Sequence, residues 1–141
     1  MIRLERDFSF EAGHRLAKGY VGKCSNIHGH SWNCKLVVEC DSLDIFGMGV
    51  DYAVLKAIAK SVINHFDHKL ILFKDDTHII DFCVAHEYDV VCMEDNPTSE
   101  HLAIVIHDMA TNYLVKHGWE TARVNCVVVQ ETADSRCTFS K

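Results

Sequence analysis

The sequence predicts an α+β fold, an antiparallel sheet with two long helices on one of its faces. Three observations predict it. Residues 2–12 and 30–40 alternate apolar and polar side chains with the period of two that marks half-buried strands. Residues 52–66 and the stretch between Thr98 and Gly118 repeat their apolar positions every three or four residues, the period of amphipathic helices. Strands open and close the chain with helices between them, an order that places helices on one side of an antiparallel sheet. A chain of 141 residues can bury a core, and no linker, repeat or low-complexity stretch divides it, so a single domain over residues 1–141 is expected.

The elements follow in order. Ile2, Leu4, Phe8, Phe10 and Ala12 alternate with Arg3, Glu5, Asp7, Ser9 and Glu11, and His14 has the parity of the apolar set. Residues 17–26, with Gly19, Gly22, two lysines and a serine, form a loop. In the second strand Trp32, Cys34, Leu36, Val38 and Cys40 share one face, and His28 and His30 have the same parity. Residues 41–49 turn the chain, and Asp51 caps the first long helix, whose stripe is Val54, Leu55, Ile58, Ala59, Val62, Ile63 and Phe66. Residues 70–95 carry no clear period; 79–85 suit a short helix and 89–93 a short strand. Thr98 caps the second long helix, with Leu102, Val105, Ile106, Met109, Tyr113 and Leu114 as its stripe and Gly118 as its stop. A β-branched strand over 124–129 runs into Gln130-Glu131-Thr132, and a turn returns the chain as a last strand over 136–139.

Charge and cysteine usage narrow the function. The net charge of -6 leaves no general footprint for nucleic acid. No apolar run is long enough to span a bilayer, so no membrane partner is expected. Seven cysteines without a CxxC pair argue against a zinc ribbon and for reduced thiols. The first residues are charged and lack the apolar core of a secretory leader, so the expected compartment is the cytoplasm.

If the first two strands pair antiparallel, the end of one meets the start of the other. His14, His28 and His30 then converge at one end of the sheet. Three neutral imidazoles and an open position make the ligand set of a catalytic zinc ion. Cys24 stands four residues before His28, where a thiol can close the site as a fourth ligand or act as a reactive group. Asp67-His68 ends the first long helix either as a surface pair or as a dyad in which the acid fixes the histidine tautomer. On pattern alone Glu131 is a strand-end charge.

The segments FSFEAGHRL (8–16), CSNIHGHS (24–31), GVDYAVLK (49–56), FDHKL (66–70), NPTSEHLA (96–103) and QET (130–132) occur in the order found in one family and span nearly the whole chain. The sequence resembles the 6-pyruvoyl-tetrahydropterin synthase superfamily, and within it the 6-carboxy-5,6,7,8-tetrahydropterin synthases of queuosine biosynthesis. The resemblance implies the tunnelling fold, in which subunits close an oligomeric barrel, commonly a homohexamer of two stacked trimers with active sites at subunit interfaces. It implies zinc on His14, His28 and His30, catalysis by Cys24 with Asp67 and His68, and a pterin ring held by Glu131. The implied substrate is 7,8-dihydroneopterin triphosphate, and the implied products are 6-carboxytetrahydropterin, acetaldehyde and triphosphate. The subfamily rests on the three residues between Cys24 and His28, where 6-pyruvoyl synthases typically have five, and on Gly49-Val50-Asp51. The alternatives are a 6-pyruvoyl-tetrahydropterin synthase, which eliminates triphosphate and keeps the side chain, and a non-catalytic module with a structural zinc closed by Cys24.

Overall fold

The alternation of the first forty residues becomes one continuous ladder. In a computed structural model that describes all 141 residues, strand β1 (Ile2–His14) and strand β2 (His28–Cys40) pair antiparallel along their whole length, from Ile2 opposite Cys40 to His14 opposite His28. After β2 come helix α1 (Tyr52–Phe66), strand β3 (Lys69–Phe73), helix α2 (Thr77–Ala85) and strand β4 (Val90–Met93). Helix α3 (Ser99–Lys116) and strands β5 (Ala122–Gln130) and β6 (Arg136–Phe139) complete the chain. The six strands form one sheet in the order β4-β3-β1-β2-β5-β6.

The sheet is mixed, which corrects the expectation of an antiparallel one. β1, β2, β5 and β6 are antiparallel neighbours, but β3 runs parallel to the last residues of β1, and β4 runs parallel to β3. The cause lies in the connection: β3 and β4 are joined through α2, and a crossover helix returns the chain in the same direction. β3 gave no strand signal because Leu70-Ile71-Leu72-Phe73 is an unbroken apolar run. Consecutive residues Ile71 and Leu72 are both fully buried, so both faces of this strand are covered, as is usual for parallel pairing. Gly13 makes room for it, since a Cβ there would stand 3.1 Å from Leu70 Cδ1.

The two long helices lie where expected. α1 packs on β1, α3 packs on β5 and β6, and the helices touch each other. Even-numbered residues of β1 and β2 face them, and Phe10, Trp32 and Leu36 join Leu55, Ile58, Phe66, Leu102 and Ile106 in the core. The Phe10 ring stacks on Trp32 at 6.3 Å and on Phe66 at 5.3 Å. A bulge where β2 passes from Val37 to Val38 leaves Asn125 as the extra residue of β5. It lets Val124 and Val127, three residues apart, both reach the core.

The predicted caps form. Asp51 Oδ1 accepts the Ala53 N–H at 2.8 Å, and Thr98 Oγ1 accepts the His101 N–H at 3.2 Å. Gly118 ends α3 with φ +73°, and His68 follows α1 with φ +56°. Along residues 2–10, β1 is paired on one side only, and β6 is the opposite edge of the sheet. These open edges are surfaces that another strand can extend.

Phe66→Ala is expected to lower stability by about 3–5 kcal/mol, because it empties the ring stack under α1. Asp51→Ala is expected to cost about 1 kcal/mol, the worth of one cap. Denaturant unfolding at a fixed protein concentration checks both, and equal losses would contradict this account of where α1 draws its stability.

Candidate active site

Strand register builds the imidazole half of the site. His14 lies opposite His28, and Ala12 lies opposite His30. The three imidazoles therefore emerge on the helix-facing side, where β1 stops and β2 starts. Their ring centroids are 4.5, 5.1 and 5.0 Å apart, and one nitrogen from each lies within 4.8 Å of the others. Trp32 supports them from below, edge-on to His14 at 5.0 Å and to His30 at 5.1 Å. Its indole N–H donates to the Ala12 carbonyl at 3.2 Å.

Backbone carbonyls set the tautomers. His14 Nδ1–H donates to the Pro97 carbonyl at 2.7 Å, and His28 Nδ1–H donates to the Asn26 carbonyl at 2.7 Å. A carbonyl can only accept, so the hydrogen sits on Nδ1 in both rings and Nε2 carries the lone pair. The two Nε2 atoms face each other at 3.0 Å. Burial is the main reason the His14 pKa falls to about 4 from the usual 6.5; the Pro97 carbonyl opposes the shift, and His28 and His30 add to it. His30 is lowered too, first by burial, against the opposing pull of Glu131. His30 Nε2 is buried without a hydrogen-bond partner. The His14 and His28 lone pairs face each other with no proton between them and His30 Nε2 lies beside them, an arrangement that fits a transition-metal cation, and the carbonyls on Nδ1 of His14 and His28 are outer-shell partners that orient such ligands.

Cys24 sits in a single 3₁₀ turn, Lys23–Ser25, and is not part of the clustered ligand atoms. It is half-buried and lines a hollow of about 350 Å³ with Thr98, Glu100, Glu131 and Arg136. Glu131, expected as a ring anchor, borders both regions. Its Oε1 is 3.4 Å from His14 Nε2 and 3.3 Å from His30 Nε2. Glu100 opens α3, and its own backbone N–H, aided by the Thr98 and Ser99 hydroxyls, holds its carboxyl below the usual range.

Asp67 and His68 form a dyad, with His68 Nδ1 2.8 Å from Asp67 Oδ2. The Glu11 N–H donates to Asp67 Oδ1 at 2.9 Å and is the main cause of that carboxyl's lowered pKa; His68 contributes next. The His68 N–H donates to the Glu11 carbonyl at 2.6 Å, which fixes the left-handed turn at the end of α1. This dyad stands apart from the thiol. His68 lines a different, open hollow of about 760 Å³ with Glu11, Gly13, Gly29 and Ser31, the odd-numbered face of the ladder; of the imidazole triad only His30 borders it. One chain therefore brings His14, His28, His30, Glu131 and Cys24 together and leaves Asp67 and His68 across the sheet.

Three neighbours of the site were not read as such from the sequence: the Pro97 carbonyl, which holds His14, and Thr98 and Glu100, which line the hollow beside Cys24. A backbone carbonyl has no side-chain signature. Thr98 and Glu100 carried a signal, because their segment was recognisable, but it pointed only to a helix start.

Residues 3–141 match the family described as 6-pyruvoyl tetrahydropterin synthase. The chain belongs to this family. A 6-carboxy-5,6,7,8-tetrahydropterin synthase of Rickettsia felis is 36% identical over 107 residues, covering 73% of this chain and 75% of that one. A 6-carboxy-5,6,7,8-tetrahydropterin synthase of Bacillus subtilis is 31% identical over 138 residues, covering 98% of this chain and 84% of that one. Among solved structures, an uncharacterised protein of Wolinella succinogenes superposes with a TM-score of 0.83 at 20% identity, covering 99% of this chain and 98% of that chain. The 6-pyruvoyl tetrahydropterin synthase of Caenorhabditis elegans superposes at 0.71 and 24% identity, covering 99% and 95%. Those two likenesses establish the family's fold for this chain.

The protein is expected to bind about one divalent transition-metal ion per chain. His28→Ala and His30→Ala should each lose it, whereas Cys24→Ala should keep it. Metal analysis of the purified variants checks this; full metal in either histidine variant, or loss in the cysteine variant, would overturn the ligand set.

Proposed function

We propose that the protein converts 7,8-dihydroneopterin triphosphate to 6-carboxy-5,6,7,8-tetrahydropterin, acetaldehyde and triphosphate, with zinc at the triad, in 7-deazaguanine (queuosine) biosynthesis. Full-length similarity to proteins of that name is the observation that carries the reading. The triad with the tautomers of His14 and His28 fixed, the thiol outside it and the carboxylate between them support it. A zinc ion on His14, His28 and His30 would supply a Lewis acid for the oxygens of the substrate side chain. Cys24 stands beside that position without being a ligand, and takes up a proton from the side chain. Glu131 accepts the ring N–H and amino hydrogens of the pterin; a mismatched ring would leave the carboxylate unpaired. Asp67 holds the hydrogen of His68 on Nδ1, so His68 Nε2 is free to accept and return a proton.

The arrangement also supports a division of labour between chains. His68 lies on the face opposite Cys24, and the sheet has an open edge at each end. We place Asp67 and His68 in the site of a neighbouring subunit, in a homohexamer of two stacked trimers. All seven cysteines are unpaired, which suits a reducing compartment such as the cytoplasm. No helix is long and apolar enough to cross a membrane.

Incubation with 7,8-dihydroneopterin triphosphate should yield the 6-carboxy pterin and acetaldehyde, read by mass spectrometry and a coupled aldehyde assay. A dominant 6-pyruvoyl product without acetaldehyde would move the protein to the elimination reaction and leave the metal and thiol roles standing. A second expectation concerns the shared site. Cys24→Ala and His68→Ala should each be inactive alone, yet co-assembled oligomers of the two should regain turnover, because some sites then receive an intact thiol and an intact dyad. No recovery in verified mixed oligomers would place both groups within one chain.

A further inference from the structure

Asn96 stands two residues before the cap of α3, a position that suggests a turn residue and nothing more. Its side chain is committed elsewhere. Oδ1 accepts the backbone N–H of Lys18 at 2.9 Å, and Nδ2 donates to the backbone carbonyl of Lys18 at 3.0 Å. Both polar ends are thus used on a single residue of the distant loop after β1. Capping is left to Thr98, whose Oγ1 takes the His101 N–H.

The loop held in this way carries the thiol. Residues 15–27 contain no strand or α-helix and only the one 3₁₀ turn, at Lys23–Ser25. The loop is closed at its base, where the Leu16 N–H donates to the Cys24 carbonyl at 2.9 Å. Asn96 grips it two residues further along, and Lys18 Nζ adds a pair to Asp95 at 3.1 Å. Between Lys18 and the 3₁₀ turn the chain passes Gly19 and Gly22, both at positive φ, and Tyr20 and Val21 are exposed. On the C-terminal side of the thiol the Asn26 carbonyl is held by His28 Nδ1–H at 2.7 Å, and on the N-terminal side the Lys18 clamp and the Leu16–Cys24 bond tie the loop down, so these contacts together fix where the thiol stands.

The same segment also holds the metal side. Pro97, the next residue, gives its carbonyl to His14 Nδ1–H, and is itself buried. One rigid entrance to α3 therefore refers the thiol loop and the first imidazole to a common frame. We propose that Asn96 is a positioning residue that fixes Cys24 relative to the imidazole triad. The proposal rests on the reading of Cys24 as the proton-transferring group. Misplacing such a group by about 1 Å is enough to cost about a hundredfold in rate.

Asn96→Ala tests it. The variant should fold and keep its metal, since His14, His28 and His30 and the Pro97 carbonyl are untouched. Turnover should fall about 10- to 100-fold in kcat with little change in KM. Two readouts are independent of turnover. Peptide-resolved alkylation with iodoacetamide should change several-fold at Cys24 and stay constant at the exposed Cys92, and hydrogen exchange at the Lys18 amide should speed up. Alkylation and exchange equal to wild type would overturn the clamp, whatever happens to kcat. Loss of metal would overturn it as well, by showing that Asn96 acts through Pro97 and His14. Full turnover in Cys24→Ala, by contrast, would overturn the reading of the thiol and not the placement of the loop. Should Asn96→Ala fail to fold, Asn96→Asp keeps the acceptor for the Lys18 N–H and sets a second acceptor against the Lys18 carbonyl. Its Cys24 alkylation should then also differ from wild type, and an unchanged rate overturns the proposal.

Discussion

Everything in the site depends on the register of the β1–β2 ladder. Side chains alternate across a strand, so a slip of one residue would turn His14 or the His28–His30 pair to the opposite face. The register is held by burial on the helix side. Phe10, Trp32 and Leu36 must all face α1 and α3, and any slip would send them to the polar side, where Glu5, Asp7 and Lys35 stand. The large apolar side chains that fold the protein thereby also set the three imidazoles. Trp32 belongs to both groups, since it is fully buried in the core and edge-on to two of the imidazoles.

Burial imposes a second constraint. An imidazole as enclosed as His14 is held neutral, and its Nδ1–H has to find an acceptor or lose a hydrogen bond in a place where water cannot replace it. The Pro97 carbonyl meets that need, and in doing so it decides which nitrogen faces the other rings. Asn26 does the same for His28 from within the thiol loop. At His14 one hydrogen bond meets both the cost of burying a polar group and the orientation of the ring, and at the more exposed His28 the second bond orients the ring. This ties the start of α3 and the loop after β1 to the triad, although neither supplies a ligand.

How far the sequence could be read follows from what leaves a local pattern. The paired strands, both long helices and their caps at Asp51 and Thr98 were legible because amphipathic period and capping chemistry are written in neighbouring residues. The triad was legible because parity carries His14, His28 and His30 to one face once the pairing is assumed. β3 was not, because Leu70-Ile71-Leu72-Phe73 is covered on both faces and so shows no alternation. The mixed sheet escaped with it. The Pro97 carbonyl and the Asn96 clamp were illegible for another reason: each acts on a partner distant in the chain, through a backbone group on one side of the contact. The separation of His68 from Cys24 was also beyond reach, because it depends on which face the turn after α1 presents.

That last point bears on assembly. A sheet is one layer thick but continuous, and a side chain on the odd face cannot pass through the ladder to the even face. The dyad is fixed where it is by two backbone bonds to Glu11, and the residue that follows it, Lys69, is already bonded into β3 beside β1. Moving His68 to the thiol within one chain would break the β1–β3 pairing and uncover Ile71, which is fully buried. Bringing a second copy alongside breaks nothing. The unpaired stretch of β1 and the edge strand β6 lie at opposite sides of the antiparallel part of the sheet, so each copy can offer one edge to the next. Edge pairing of this kind continues the ladder and brings the faces of neighbouring copies together. The open edges and the separation of the dyad from the thiol both fit the proposed arrangement, in which the site is completed between chains.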